Sequence, residues 1–102
     1  MKNKDVVTSV PIDDNLGEII NWAIRYALGR RTYAVMDTCN YVTPLVPYLN
    51  NRTLWCISRD IVEQEPFGYG DICDKDNWMS LLHTVDEELK QRVDNTILDA
   101  IG

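Results

Sequence analysis

The sequence has little of what catalytic and metal sites usually require. Its 102 residues include one histidine, His83, and three cysteines, Cys39, Cys56 and Cys73. An odd number of widely spaced cysteines is not a disulfide framework and fits a reducing compartment, so we expect free thiols. No nucleophile motif surrounds them, and helical spacing places His83 roughly opposite the apolar stripe of its segment. We therefore predict no catalytic residue and no cofactor.

The same four residues leave one alternative open. Three cysteines and a histidine are the ligand set of a structural zinc site, and a cysteine paired with His83 is the minimum for a small thiol enzyme. The spacing argues against zinc, because strong zinc motifs bring two ligands within a few residues of each other. We expect Cys39 on the apolar side of a helix, Cys56 away from such a side, and Cys73 in a loop.

Long apolar runs and surplus basic residues are also missing. No run approaches the ~20 residues that span a bilayer, and the first residues lead into no signal-type segment, so we expect a cytoplasmic protein without membrane contact. The net charge is −6, and the negative excess lies entirely in residues 52–102. Affinity for nucleic acid comes largely from Lys and Arg, so we predict a basic protein surface as the partner and no direct nucleic-acid binding.

Apolar spacing predicts a single all-α domain over residues 1–102, a compact bundle of about four helices with short loops. Residues 1–12 form an arm that is either a short strand or frayed. The first helix has an almost unbroken three-then-four apolar repeat, which comprises Leu16, Ile19, Ile20, Ala23, Ile24, Ala27 and Leu28.

The other three helices have identifiable ends. We expect the second helix to kink or restart at Thr43 and Pro44, because proline disfavours helical geometry before it. Asn50 or Asn51 is positioned to cap the third helix. The fourth follows a structured Gly/Pro loop, with Asp74 or Asp76 as its cap and a stripe of Trp78, Leu81, Leu82, Val85 and Leu89; Asp94 and Asn95 are candidate breakpoints.

Acidic residues cluster around the end of the third helix and the start of the fourth. One interpretation is a solvated face that maintains solubility. The other is that fixed carboxylates imitate phosphates and occupy a basic groove, with nearby aromatics as apolar anchors. The predicted partner-binding residues are Asp60, Glu63, Glu65, Phe67, Tyr69, Asp71, Asp74 and Asp76. Arg25, in the first helix, is expected to pair with an acid of another helix.

Three segments carry a resemblance to a known class. The runs Trp22 to Tyr33, Ile57 to Ile61 and Asp74 to Trp78 resemble small uncharacterised proteins of phages and prophages of Gram-positive bacteria. The resemblance implies an accessory protein acting in the host cytoplasm. Within that class, the resemblance implies an anti-CRISPR-like inhibitor, expected to block the basic nucleic-acid site of a CRISPR effector nuclease. The alternative is a structural or regulatory phage protein that forms homo-oligomers through exposed aromatics such as Trp55, Tyr41 and Tyr48.

Overall fold

The computed structural model describes residues 14–28, 33–70 and 72–101, which form four α-helices. The helices are α1 (Asp14–Ala27), α2 (Tyr33–Val42), α3 (Asn51–Gln64) and α4 (Ile72–Ile101), and two 3₁₀ helices cover Thr43–Tyr48 and Glu65–Phe67. No strand occurs in these ranges, which confirms the all-α prediction. The predicted arm at 1–12 lies outside the described residues.

The predicted apolar stripe of α1 is split between the core and the surface. Its buried members are Ile20, Ile24 and Ala27, and its exposed members are Leu16, Ile19 and Ala23. Gly17 and Asn21 are buried in place of the exposed ones. The prediction of one apolar side was therefore wrong: α1 is apolar on two sides, and only one of them faces the core.

A close contact between α1 and α3 explains which side is buried. A methyl group added at Gly17 would overlap the hydroxyl of Thr53, so only glycine allows the two helices to approach this closely. Nearby, Asn21 Nδ2 donates a hydrogen bond to the Thr53 carbonyl at 3.2 Å. The Thr53 N–H donates to Asn50 Oδ1 at 2.7 Å, which confirms Asn50 as the cap of α3. The amino end of α3 is thus tied to α1.

The prolines after α2 change the type of helix. The chain continues directly into a 3₁₀ helix with Pro44 in its first turn and Pro47 inside it. The Thr43 hydroxyl donates to the Cys39 carbonyl at 2.7 Å, one turn back in α2. The position of the predicted change is confirmed, because the tighter helix tolerates the missing proline donors over a short length. Thr43 is the first residue of the new helix and not its cap, since Val42 holds the cap position.

α4 is continuous over 30 residues, about 45 Å at 1.5 Å per residue. The break considered at Asp94 and Asn95 is absent. The helix also begins earlier than predicted, so Asp74 lies in its first turn and Asp76 follows within the helix, and neither is the cap. Cys73 is likewise helical, where a loop had been predicted.

The helices surround one apolar core. α1 packs against α2 and α3, and α4 packs against the same two helices, so α1 and α4 occupy opposite corners. The core residues are Ile20, Ile24, Ala27, Val35, Cys39, Val42, Val46, Leu49, Leu54, Ile57, Ile61, Tyr69, Trp78, Leu81 and Val85. Trp78 is the largest fully buried side chain, and its indole N–H has no hydrogen-bond partner among the described residues. The outer side of α1–α2 and the outer side of α3–α4 therefore face in opposite directions.

Candidate partner-binding face

The negative charge of the Asp60 carboxylate is balanced by two arginines of the same protein. One oxygen accepts a hydrogen bond from Arg25 Nε at 2.9 Å, and the other lies 3.2 Å from Arg59 Nη2. Its side chain is only 10% exposed. The predicted pairing of Arg25 with an acid of another helix is confirmed. Asp60 joins α3 to α1, so it offers little negative charge to a partner.

Asp74 is also turned inward. It is buried in the first turn of α4, on the side that faces the core. Burial of the Cys39 thiol, and then the negative charge of Asp74, raise the pKa of Cys39 to about 12. Cys39 is therefore an uncharged thiol at neutral pH. Asp74 lies in the interior and is not part of the exposed acidic surface that was predicted.

Tyr69 belongs to the core and holds the loop between α3 and α4. Its hydroxyl donates to the carbonyl of Ile61 at 2.7 Å, and burial, with a smaller effect of the Glu65 charge, raises its pKa. Gln64 Nε2 donates to the carbonyl of Gly68 at 2.9 Å, and Gly68 has a φ of 82°, which favours glycine. The loop is structured, as predicted. Its tyrosine is not the exposed anchor that the sequence had indicated.

Four of the predicted residues are exposed at the surface. Glu63 lies near the end of α3, Glu65 and Phe67 in the 3₁₀ helix that follows, and Asp76 on α4. Asp71 lies outside the described residues. The exposed part of the predicted site is therefore concentrated around the junction of α3 and α4.

A shallow groove runs between α3 and α4 on this side of the molecule, and we call it the α3–α4 groove. It consists of two adjoining depressions, of about 550 and 410 Å³, that share Val62. The larger is lined by Val62, Glu65, Gly68, Tyr69, Gly70, Ile72, Lys75, Met79 and Leu82. The smaller is lined by Trp55, Ser58, Arg59, Val62, Glu63, Asp86 and Leu89. Apolar side chains of both helices thus line each depression, and the two depressions meet at Val62.

The groove combines apolar contact area with carboxylates at its margins. Trp55 is 65% exposed in the smaller depression, whose charged lining residues are Glu63, Asp86 and Arg59. In the larger depression, Glu65 lies near Lys75. A protruding aromatic ring near aliphatic side chains and charges is the composition of a protein interface, in which large apolar residues supply affinity and surrounding charges orient the partner.

The outer side of α4 extends this negative surface. Asp76, Glu87 and Asp94 are all exposed, and their separations of eleven and seven residues place them on one side of a helix. By contrast, Glu88 is paired with Arg92 at 2.9 Å. We call the first three residues the α4 acidic ridge.

The three cysteines considered for zinc or thiol chemistry lie on separate helices, and His83 lies on the same helix as Cys73. Cys39 is buried in α2, Cys56 is half-buried in α3 and Cys73 is exposed at the start of α4. In the described ranges, no three His, Cys, Asp or Glu side chains are grouped as metal ligands. His83 is exposed, as expected, and lines a shallow depression beside Pro44 and several polar side chains of α4.

A second exposed surface lies on α1, on the opposite side of the bundle. A groove of about 730 Å³ is lined by Asn15, Glu18, Ile19, Trp22, Ala23, Tyr26, Ala27 and Thr38. We call the exposed residues Ile19, Trp22, Ala23 and Tyr26 the α1 aromatic face. This face was not predicted from the sequence, because the apolar positions of α1 were assigned to one buried side. The available signal was the number of large apolar residues in α1, which exceeds what one side of a helix can bury.

Comparison with protein-family models, with curated proteins and with solved structures found no match. Within residues 14–28, 33–70 and 72–101, no helix combines the length and apolar character needed to cross a membrane. The class of this protein must therefore be inferred from its own surface.

Proposed function

We propose that this chain is a binding protein that occupies a basic site on a larger protein through the α3–α4 groove. The observation that carries the proposal is the placement of exposed Trp55 beside Glu63 and Asp86 in one apolar depression. The α4 acidic ridge adds charge on the neighbouring surface. Long-range attraction would orient the molecule, and Trp55 would then supply the desolvated contact that slows dissociation.

The target class is a host complex that processes nucleic acids, such as an RNA-guided nuclease. Such enzymes hold nucleic acid in positively charged channels, which a rigid array of carboxylates can occupy in its place. The resemblance to small phage and prophage proteins supports this target class. The activity is therefore inhibition by occupancy, of the anti-CRISPR kind, with no chemical step performed by this chain.

The proposal is best tested by substitutions at the acidic residues that remain exposed. Asp60 and Glu88 are paired with arginines, and Asp74 is buried, so these three contribute little to an external field. Glu63 and Glu65 are exposed and line the groove itself. They are the positions at which neutralisation should affect binding most and folding least.

The test is capture of partners from a Gram-positive host lysate at low and high salt, followed by binding to the purified partner. The test variant is Glu63→Gln/Glu65→Gln. The matched control is Glu18→Gln/Asp37→Asn, which removes two exposed charges from the opposite half of the molecule. We expect a basic partner that is retained at low salt, and an association rate about tenfold lower for the test variant alone.

A second measurement separates charge from apolar contact. Trp55→Ala should leave the association rate nearly unchanged and increase the dissociation rate on the order of tenfold or more, as for a central interface aromatic. If no basic partner is captured at either salt, or if the two double variants lose binding equally, the proposed interface is wrong. If the captured partner has no nucleic-acid-processing activity, or if that activity is the same with and without this protein, the proposed inhibition is wrong.

A further inference from the structure

We propose that the α1 aromatic face is a self-association surface, on which a second copy of this chain packs its own α1 in antiparallel orientation. Trp22 is 69% exposed, Ile19 is 63% exposed and Tyr26 is 56% exposed. Together they expose on the order of 400 Å² of largely apolar surface, within the range of the largest patch on a typical monomer, and such patches are often functional.

The order of residue sizes along α1 is self-complementary. In a two-fold symmetric pair, both copies use the same surface, so the residues of one α1 meet those of the other α1 in reverse order. If the axis passes between Trp22 and Ala23, then Trp22 of one copy covers the small side chain of the partner's Ala23. In the same register, Ile19 meets the partner's Tyr26. Each large ring therefore faces a smaller or aliphatic group, which permits close packing without a clash.

The distribution of charge favours a second copy on this face. Two molecules of net charge −6 repel each other, but the negative excess lies entirely in residues 52–102. Among the described side chains of α1, the charged ones are Glu18, which lines this groove, and Arg25, which is paired with Asp60 of α3. Pairing through α1 also directs both α4 acidic ridges away from the axis, because α1 and α4 occupy opposite corners of the bundle. Repulsion between copies is thus lowest in this arrangement.

The size of the face predicts a weak, reversible dimer. Stable complexes bury about 800 Å² per partner, and the three large side chains supply roughly half of that area. Such a dimer would present two α3–α4 grooves on opposite sides. Two linked sites bind a partner with two matching sites far more tightly than one site does. The dimer itself does not depend on the function proposed above.

The experiment is sedimentation velocity of the full chain from about 1 to about 200 µM, a range that brackets the dissociation constants of small reversible interfaces. The variant Ala23→Glu places a charge at the centre of the face on an exposed helical position. Trp22→Ala removes the ring that covers Ala23 of the other copy. The matched control is Trp55→Ala, which removes an equally exposed ring from the opposite side. Circular dichroism confirms that each variant keeps its helix content.

We expect wild type and Trp55→Ala to dimerise with the same dissociation constant. Ala23→Glu and Trp22→Ala should each raise that constant at least tenfold. A wild-type chain that stays monomeric over the whole range overturns the proposal. A dimer that Trp55→Ala weakens, or that both α1 variants leave unchanged, also overturns it, because self-association would then use another surface. None of these outcomes depends on whether a basic partner is found.

Discussion

The two exposed faces of this protein differ in the forces that they offer a partner. The α1 aromatic face is lined mainly by apolar side chains, whereas the α3–α4 groove places a tryptophan among the charged side chains of Arg59, Glu63 and Asp86. Association through an apolar surface depends on contact area and is not screened by salt, whereas a charged surface also attracts over distance and is weakened by salt. One small bundle can therefore hold two surfaces that do not compete for the same partner.

The largest effect should come from the one tryptophan that belongs to neither face. Trp78→Ala removes the largest buried side chain and should lower the free energy of unfolding by about 3–5 kcal/mol, a large part of the stability of a domain this size. The matched variants Trp22→Ala and Trp55→Ala should each change it by less than about 0.5 kcal/mol. Urea unfolding followed by circular dichroism measures all three. A large loss in either surface variant would mean that its ring is packed in the fold.

A smaller effect is expected where α1 is positioned against α3. Gly17→Ala should lower the free energy of unfolding by about 1–3 kcal/mol, because the new methyl group overlaps the Thr53 hydroxyl. Alanine for glycine normally stabilises a helix interior, so the expected sign is opposite to that of helix propensity.

The control for this contact is a double-mutant cycle with Thr53→Ala, analysed by the same unfolding measurement. In the Thr53→Ala background, Gly17→Ala should be neutral or stabilising. Additive losses in the double variant would show that the two positions do not interact and that another contact orients α1.

The ion pair between Asp60 and Arg25 connects the half of the molecule that contains α1 to the half that contains the groove. Asp60→Asn should lower the free energy of unfolding by about 1 kcal/mol, because its arginine partners are largely exposed and solvent screens the pair. Added salt should reduce the difference from wild type. Glu63→Gln, one turn further along α3, should have no measurable effect. Equal losses in both variants would contradict a specific role for Asp60.

The smallest predicted effect is that of the ionisation of the Cys39 thiol, which appears only at alkaline pH. Its pKa is raised from 9.0 to about 12 in the folded protein, so the folded state keeps the proton that the unfolded state loses above about pH 9. The contribution of this thiol to stability is complete below pH 9 and decreases as the pH rises toward 12. Cys39→Ala should therefore lose less stability than wild type between these values, measured by urea unfolding as a function of pH.

Cys73 provides the control for the thiol, since it is exposed at the start of α4. Cys73→Ala should retain the alkaline loss seen in wild type. The buried Tyr69 contributes in the same direction, but it is present in both variants, so the difference between them isolates the cysteine. If Cys39→Ala and wild type lose stability in parallel, the Cys39 proton is not retained on folding.

Local features of the sequence were sufficient to predict the helices and several of their ends. Asn50 caps α3, the prolines after α2 change the helix type, and Trp78 lies at the centre of a buried stripe. Each depends on residues within one or two turns, which is the distance over which capping and helical periodicity act. The candidate site was predicted less well: Glu63, Glu65, Phe67 and Asp76 are exposed, whereas the other described members are paired or buried.

The sequence by itself determined the helical class, the order of the four helices and that the surplus charge is negative and confined to residues 52–102. Only the tertiary structure decided which side of α1 enters the core and which carboxylates remain exposed. Both depend on contacts between residues more than thirty positions apart, such as Asn21 with Thr53 and Arg25 with Asp60. Apolar periodicity shows on which side of a helix each residue lies. It does not show which residue of a distant helix packs against that side.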